Sequence, residues 1–206
     1  MIETGGFVLD DQRDDTGARL GMWLFLLSEI LLFGGMFILY SAYRYKNPID
    51  FHHASLELEV ILGTANTLIL LTSSLTMATS IAAIQKGQRR LSSWLLLATM
   101  ILGLLFLMNK GMEWGTKVHH GIYPGSPTLL SRPKGEILFF GLYYVMTGLH
   151  GLHVLAGIGV LFVMWVLVCQ GKIDRTRFVP LENSGLYWHL VDIIWIFLFP
   201  LFYLIA

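Results

Sequence analysis

Five apolar runs, each about as long as a lipid hydrocarbon core is thick, occupy almost the whole chain, and only short polar breaks separate them. A hydrocarbon core of about 30 Å takes about 20 residues of helix to cross, at 1.5 Å rise per residue. The runs lie near residues 20–43, 60–84, 91–108, 137–168 and 186–206. The breaks hold charges and turn formers: Lys46-Asn47-Pro48, Gln85 to Arg90, Tyr123-Pro124-Gly125-Ser126-Pro127 and Gln170 to Arg177. An open sheet would leave backbone groups unpaired in lipid, so the spans are read as helices. With 55% hydrophobic and 14% charged residues, nothing is left over for a soluble domain. The expected fold class is therefore all-α: an integral membrane bundle of five transmembrane helices, forming a single membrane domain over residues 1–206.

The segment 1–18 is acidic, with Glu3, Asp10, Asp11, Asp14 and Asp15, and it lacks the basic patch and apolar core of a cleavable signal peptide. The first span must then direct its own insertion. Placing the N-terminus inside gathers eight basic residues on that side: Arg13, Arg19, Lys86, Arg89, Arg90, Lys172, Arg175 and Arg177. The other side collects six, namely Arg44, Lys46, Lys110, Lys117, Arg132 and Lys134. The inner breaks are short and densely charged, so the positive-inside rule places the N-terminus inside and the C-terminus outside.

A net charge of zero and a pI near 7.1 give no pull toward nucleic acid. Cys169 is the only cysteine, which excludes an internal disulfide and a thiolate cluster. There is no Gly-rich phosphate loop, no triad order and no internal repeat.

What remains is the polar content of the spans. Glu29 lies within the first run, where its helical neighbours Phe25, Leu26, Leu32 and Phe33 supply no partner. A charge there costs on the order of 3 kcal/mol, so it needs a partner from another helix, another subunit or a lipid, or it stays protonated. A packing role and a functional role are both open for it. In the fourth run Tyr143, Met146, His150, His153 and Gly157 share one helical face, which also carries the small pair Thr147 and Gly151. In the fifth, Glu182, Gly185, His189 and Asp192 form a second polar stripe. Ser74, Ala78 and Ala82 form a small-residue face on the second run.

These histidines invite a metal or haem reading. By the run boundaries, Glu29 sits in the inner half and Glu113 beyond the outer end of the third run. His150 and His153 lie near mid-depth, and His189 lies near the inner start of the fifth. Those levels are too spread for one dinuclear carboxylate site, and the mismatch counts against a bis-histidine haem between the fourth and fifth runs, so no metal ligand is assigned. The loop pairs His52-His53 and His119-His120 are read as solvated.

Four separated segments then carry a resemblance. The run Gly21-Met22-Trp23-Leu24-Phe25-Leu26-Leu27-Ser28-Glu29, the pair Glu113-Trp114, the run Thr147-Gly148-Leu149-His150-Gly151-Leu152-His153-Val154, and the run Tyr187-Trp188-His189-Leu190-Val191-Asp192-Ile193-Ile194-Trp195 resemble subunit III of the haem–copper oxidases, in the family's order. The resemblance covers nearly the whole chain from Arg19, and it is to a five-helix form lacking the first two helices of the commoner seven-helix subunit.

The resemblance implies a non-redox subunit with no catalytic residue and no cofactor of its own. Haem and copper are expected in the partner subunits. The chain would pack on catalytic subunit I, with subunit II and further small subunits, in a proton-pumping cytochrome c oxidase of a bacterial cytoplasmic membrane. It would bind phospholipid, support proton uptake and protect the catalytic core from inactivation during turnover. Glu29 falls on the family's carbodiimide-reactive carboxyl. Glu113, His150, His153, Glu182, His189 and Asp192 fall on polar positions associated with structure, protons or lipid. Rival readings are a subunit III of a quinol oxidase or of a nitric-oxide-reductase-associated homologue, a free-standing transporter, and a di-haem electron carrier.

Overall fold

The computed structural model describes residues 4–204, with side chains from Asp15 onward. Glu3 and the side chains of Asp10, Asp11 and Asp14 in the acidic segment therefore lie outside the described residues, as do residues 205–206 at the end of the last apolar run. The described residues are helical throughout their ordered elements: α1 Thr4–Lys46, α2 Pro48–Ser55, α3 Val60–Gln85, α4 Arg89–His119, α5 Pro127–Leu130, α6 Lys134–Gln170 and α7 Val179–Tyr203. Five of these are long and apolar enough to cross a membrane: α3, α4, α6, α7 and the Asp15–Lys46 part of α1.

Two helix ends differ from the sequence reading, for one reason. The α4 helix continues past Met108 to His119, and α7 begins at Val179 rather than near Leu186. In both extensions the polar residues keep helical spacing and turn inward. Lys110, Glu113 and Lys117 fall on the buried face of α4, although each had counted as a residue beyond the span. A run boundary drawn at the first charge misses a helix whose charges satisfy one another.

The pairing of α3 with α4 rests on polar rungs. Lipid tails are as apolar as leucine, so helices gain little from burying apolar area against each other, and hydrogen bonds and close packing supply the attraction. Asn109 donates to Asn66 at 3.0 Å, the Thr76 and Thr99 hydroxyls meet at 2.8 Å, and those of Ser80 and Ser92 at 2.9 Å. The expected small face of Ser74, Ala78 and Ala82 is not the packing face, because Ala78 is exposed. The buried stripe runs instead through Gly63, Asn66, Leu70, Ser73, Met77 and Ser80.

One side chain ties four helices together. Trp188 of α7 is fully buried and lies against Gly103 of α4 and Gly157 of α6, where an added Cβ would sit 2.8 Å and 2.9 Å from its ring. Its Nε1–H donates to Ser73 Oγ of α3 at 3.1 Å.

Helix α1 is held differently. It buries Leu26, Phe33 and Tyr40, spaced by seven, in one narrow seam, while Leu20, Trp23, Leu24, Leu27, Leu31 and Ile38 stay exposed. Tyr40 donates to the Leu201 carbonyl and stacks edge-on with Phe51 and Phe202. Phe51 belongs to the short α2, which Pro48 starts and which closes the end of the bundle against Phe139. Asp50 Oδ2 there accepts from the Gly135 N–H at 3.0 Å.

Gly103→Val or Gly157→Val therefore forces the Trp188 ring out of its notch and costs about 1–3 kcal/mol. Gly159→Ala, where nothing lies within 4 Å, leaves stability unchanged. Unfolding midpoints in mixed micelles check both.

Candidate functional site

The polar side chains within the spans form three separate groups. The first joins α1 to α6 near mid-depth. Glu29 Oε2 lies 2.8 Å from His153 Nε2, and the pair is part-buried. The expectation that Glu29 finds its partner on another helix thus holds in the structure. His153 Nδ1 lies 2.8 Å from the Leu149 carbonyl, which can only accept, so Nδ1 carries hydrogen. One further proton must then lie between Nε2 and Oε2, with acid and imidazole both neutral or both charged. Either way the pair is neutral overall, which suits hydrocarbon. Phe33 meets the imidazole edge-on at 5.4 Å, and the Tyr187 hydroxyl donates to the His153 carbonyl at 3.0 Å.

Beside this pair, toward the start of α1, Met22, Phe25, Ala156, Val160, Ser184 and Tyr187 line an apolar recess of about 340 Å³. The Arg19–Glu182 ion pair at 2.9 Å joins α1 to α7, with Asn183 of the recess wall donating to the Ala18 carbonyl. Glu182 is therefore a tie between α1 and α7 near the membrane surface.

The second group lies between α3 and α7. Because α7 starts at Val179, His189 sits ten residues into its helix, near mid-depth rather than at the inner start. Its Nδ1 meets the Ser74 hydroxyl at 2.7 Å. Asp192 lies one turn on and is 3% exposed, and neither of its oxygens meets hydrogen-bond geometry with a described group, although Ser74 lies beside it.

The third group spans α4, α6 and α7 toward the opposite end. Lys110 Nζ lies 3.0 Å from Glu113 Oε2 and donates to the hydroxyls of Tyr143 at 3.0 Å and Tyr203 at 2.5 Å. Both hydroxyls in turn donate to Glu113 Oε1, at 2.5 Å and 2.7 Å. The three ammonium hydrogens and both carboxylate oxygens are thus engaged. Lys117, one helical turn further, donates to the Glu57 carbonyl at 3.1 Å, and Arg132 pairs with Glu57 and with Glu136. Arg132 lies outside the spans, and the Glu57 hydrogen bond, with Glu136 behind it, raises its pKa further.

His150 stands apart from all three. It is fully buried between Trp195 and Phe106, at ring distances of 5.3 Å and 5.5 Å, and neither ring nitrogen has a partner among the described residues.

The structure thus brings together Glu29 and His153, which had been assigned different levels, and keeps Glu113, Glu182, His189 and Asp192 in separate places. Among the described residues no three His, Cys, Asp or Glu side chains converge on a metal position. Lys110 is the residue that sequence reasoning missed. Its signal was the spacing of Lys110, Glu113 and Lys117 at steps of three and four, which puts all three on one helical face.

Residues 10–206 match the family described as cytochrome c oxidase subunit III. The chain belongs to that family. Cytochrome c oxidase subunit 3 of Synechocystis sp. is 35% identical over 187 residues, covering 90% of this chain and 74% of the relative. A probable quinol oxidase subunit 3 of Staphylococcus haemolyticus is 28% identical, covering 95% of this chain and 94% of its own length. A protein of Aeropyrum pernix named heme-copper oxidase subunit I+III is 29% identical, covering 91% of this chain and 22% of that protein. The chain is thus a membrane-embedded subunit III of the haem–copper oxidase kind, a family that works with catalytic subunit I.

Lys110→Met strands the Glu113 charge in the bundle and destabilises it by about 3–5 kcal/mol, whereas Lys110→Met with Glu113→Leu recovers most of that loss. A double-mutant cycle on unfolding in micelles measures the difference.

Proposed function

We propose that the chain is the non-redox subunit III of a proton-pumping cytochrome c oxidase, packed on catalytic subunit I beside subunit II and further small subunits. In this reading oxygen reduction, haem and copper all belong to the partners, and the whole of residues 1–206 acts as one membrane domain. The observation that carries it is the Glu29–His153 pair, a hydrogen-bonded contact near mid-membrane on the span least buried within the bundle. The identity to cytochrome c oxidase relatives and the relative named for subunits I and III together support the choice of partner.

The orientation is N-terminus inside and C-terminus outside, in a bacterial cytoplasmic membrane. Burial of Lys110 and Lys117 supports it, since the opposite side then keeps only Arg44, Lys46, Arg132 and Lys134 as surface basic residues, against eight inside. The recess beside Glu29 has the shape and apolar lining for a phospholipid chain, with Arg19, Glu182 and Asn183 at headgroup level. Glu29 and His153 hold a proton at the edge of that recess and support proton uptake by the partner. Glu113 and His189 tie helices together, through Tyr143 and Tyr203 and through Ser74, while His150 and Asp192 are buried within the bundle. The quinol oxidase reading is favoured only by the staphylococcal relatives, which are less identical.

Affinity purification through a tag on this chain is expected to recover a haem–copper catalytic subunit, with every Soret band assignable to the partners and reduced cytochrome c oxidised by the complex. Recovery without any oxidase polypeptide defeats the reading, and oxidation of quinol alone selects the alternative. Glu29→Gln and His153→Gln are each expected to leave haem content intact while lowering proton uptake or turnover lifetime. Normal uptake and lifetime in both variants reduce the pair to a packing contact.

A further inference from the structure

The small-residue face of Ser74, Ala78 and Ala82 stays on the outside of the bundle, with Ala78 exposed and the other two half-buried. It borders the outer strip of α7. Leu186, His189, Ile193, Ile196 and Pro200 follow one another at steps of three and four, so they share a helical face, and each is half-buried or exposed. The two strips meet where the Ser74 hydroxyl lies 2.7 Å from His189 Nδ1.

Elsewhere the hydroxyls on the outer surfaces of the spans are closed on their own helices. Ser28, Ser41, Thr64, Thr72 and Thr79, all exposed, each donate to a backbone carbonyl three or four residues earlier. His189 is not closed in that way. Its Nδ1 is engaged by Ser74, and its Nε2, near mid-depth on the outer strip, has no partner among the described residues. Behind it stands Asp192, 3% exposed, beside Ser74 and with neither oxygen in hydrogen-bond geometry with a described group. A polar nitrogen turned toward hydrocarbon and an unbonded acid behind it are both costly, so the bundle by itself leaves this polar site open.

The chemistry of the site narrows what covers it. Lipid tails bring neither donor nor acceptor to that depth. A second copy of this chain, meeting the site across a two-fold axis, repeats the same nitrogen in the same state and sets donor against donor or acceptor against acceptor. A transmembrane helix of a different chain can bring the complementary group, and small residues beside the imidazole let its backbone come close.

We propose that one transmembrane helix of catalytic subunit I lies along the junction of α3 and α7, close against Ser74, Ala78 and Ala82, and pairs a hydrogen-bonding side chain with His189 Nε2. Ser74 orients the imidazole from behind. The other edge of the α7 strip is bordered by α1, through Phe37 against Phe197, so a partner seated here also reaches α1. This placement rests on the subunit III reading and adds to it the face that carries the contact.

The test is made on the purified complex, with a photoactivated benzophenone side chain at Ala78 of α3 or Ile193 of α7, and at Leu104 of α4 or Leu155 of α6 as controls, all four positions being exposed. Adducts with subunit I are expected from the first two and not from the controls. His189→Phe is expected to increase dissociation of this chain from the complex in detergent by about 3–10-fold, and His189→Gln, which keeps a donor and an acceptor at similar reach, to restore retention. Ala78→Phe keeps the test independent of the bundle's own stability. At that exposed position it is expected to weaken the complex while leaving the unfolding midpoint of the isolated chain unchanged. Adducts from Leu104 and Leu155 in place of Ala78 and Ile193 overturn this placement and leave the subunit III reading standing. So do adducts joining two copies of this chain, and so does unchanged dissociation in both phenylalanine variants. A preparation without any oxidase polypeptide overturns the placement and the reading together.

Discussion

The architecture depends on the notch that Gly103 and Gly157 leave for the Trp188 indole. Lipid offers helices no hydrophobic reward for leaving it, so something else must hold α3, α4, α6 and α7 in one arrangement. A large flat ring inserted between two glycines gives the dispersion contacts of an interior site, and its one polar atom finds Ser73 on the fourth helix. The serine, threonine and asparagine rungs between α3 and α4 then set the register of one pair within a bundle whose centre is already located.

The ionisable groups follow the same economy. Burying a charge alone is prohibitive, and the buried Lys110 and Glu113 at the far end of the bundle answer each other. Lys110, Glu113, Tyr143 and Tyr203 close on themselves and cross-link α4, α6 and α7. Glu29 and His153 differ in kind, as an acid and an imidazole hydrogen-bonded between α1 and α6. Asp192 and His150 differ again, as buried polar groups whose bonding within the described chain is incomplete. Among the described residues, only the Glu29 pair joins an acid to an imidazole near mid-depth on the span least covered by its own bundle.

Much of this was legible beforehand, and the failures share a cause. The five spans, the all-helical class, the isolated Glu29 and the family motifs all follow from residue type and spacing. The sequence reading placed His150 and His153 on one face, yet a single helical face does not say what stands opposite: His153 meets Glu29, while His150 points three residues away into an aromatic cage. Hydropathy scores residues singly and so puts Lys110 and Lys117 in the loops, whereas Lys110 is buried against Glu113 and tyrosines from two other helices, and Lys117 against the Glu57 carbonyl. Small residues misled for the converse reason. Ala78 is small but faces outward, and the close approaches belong to glycines whose importance shows only once Trp188 is opposite them.

The bundle is also unequal in how its helices are held. Of the five spans α7 is the most buried and α1 the least, so four helices form a core to which the first is attached along a narrow seam. Along that seam the ties are Arg19–Glu182 at one surface, Glu29–His153 at mid-depth and Tyr40 to the Leu201 carbonyl at the other end. The outer two are a partly exposed ion pair and a neutral hydrogen bond, each worth little by itself. The middle tie lies in the lowest dielectric, where a hydrogen bond is strongest and where losing its proton leaves one net negative charge facing hydrocarbon. Attachment of α1 and occupancy of that proton are therefore coupled. In the proposed reading, a partner that covers the outer face of α1 acts on both at once.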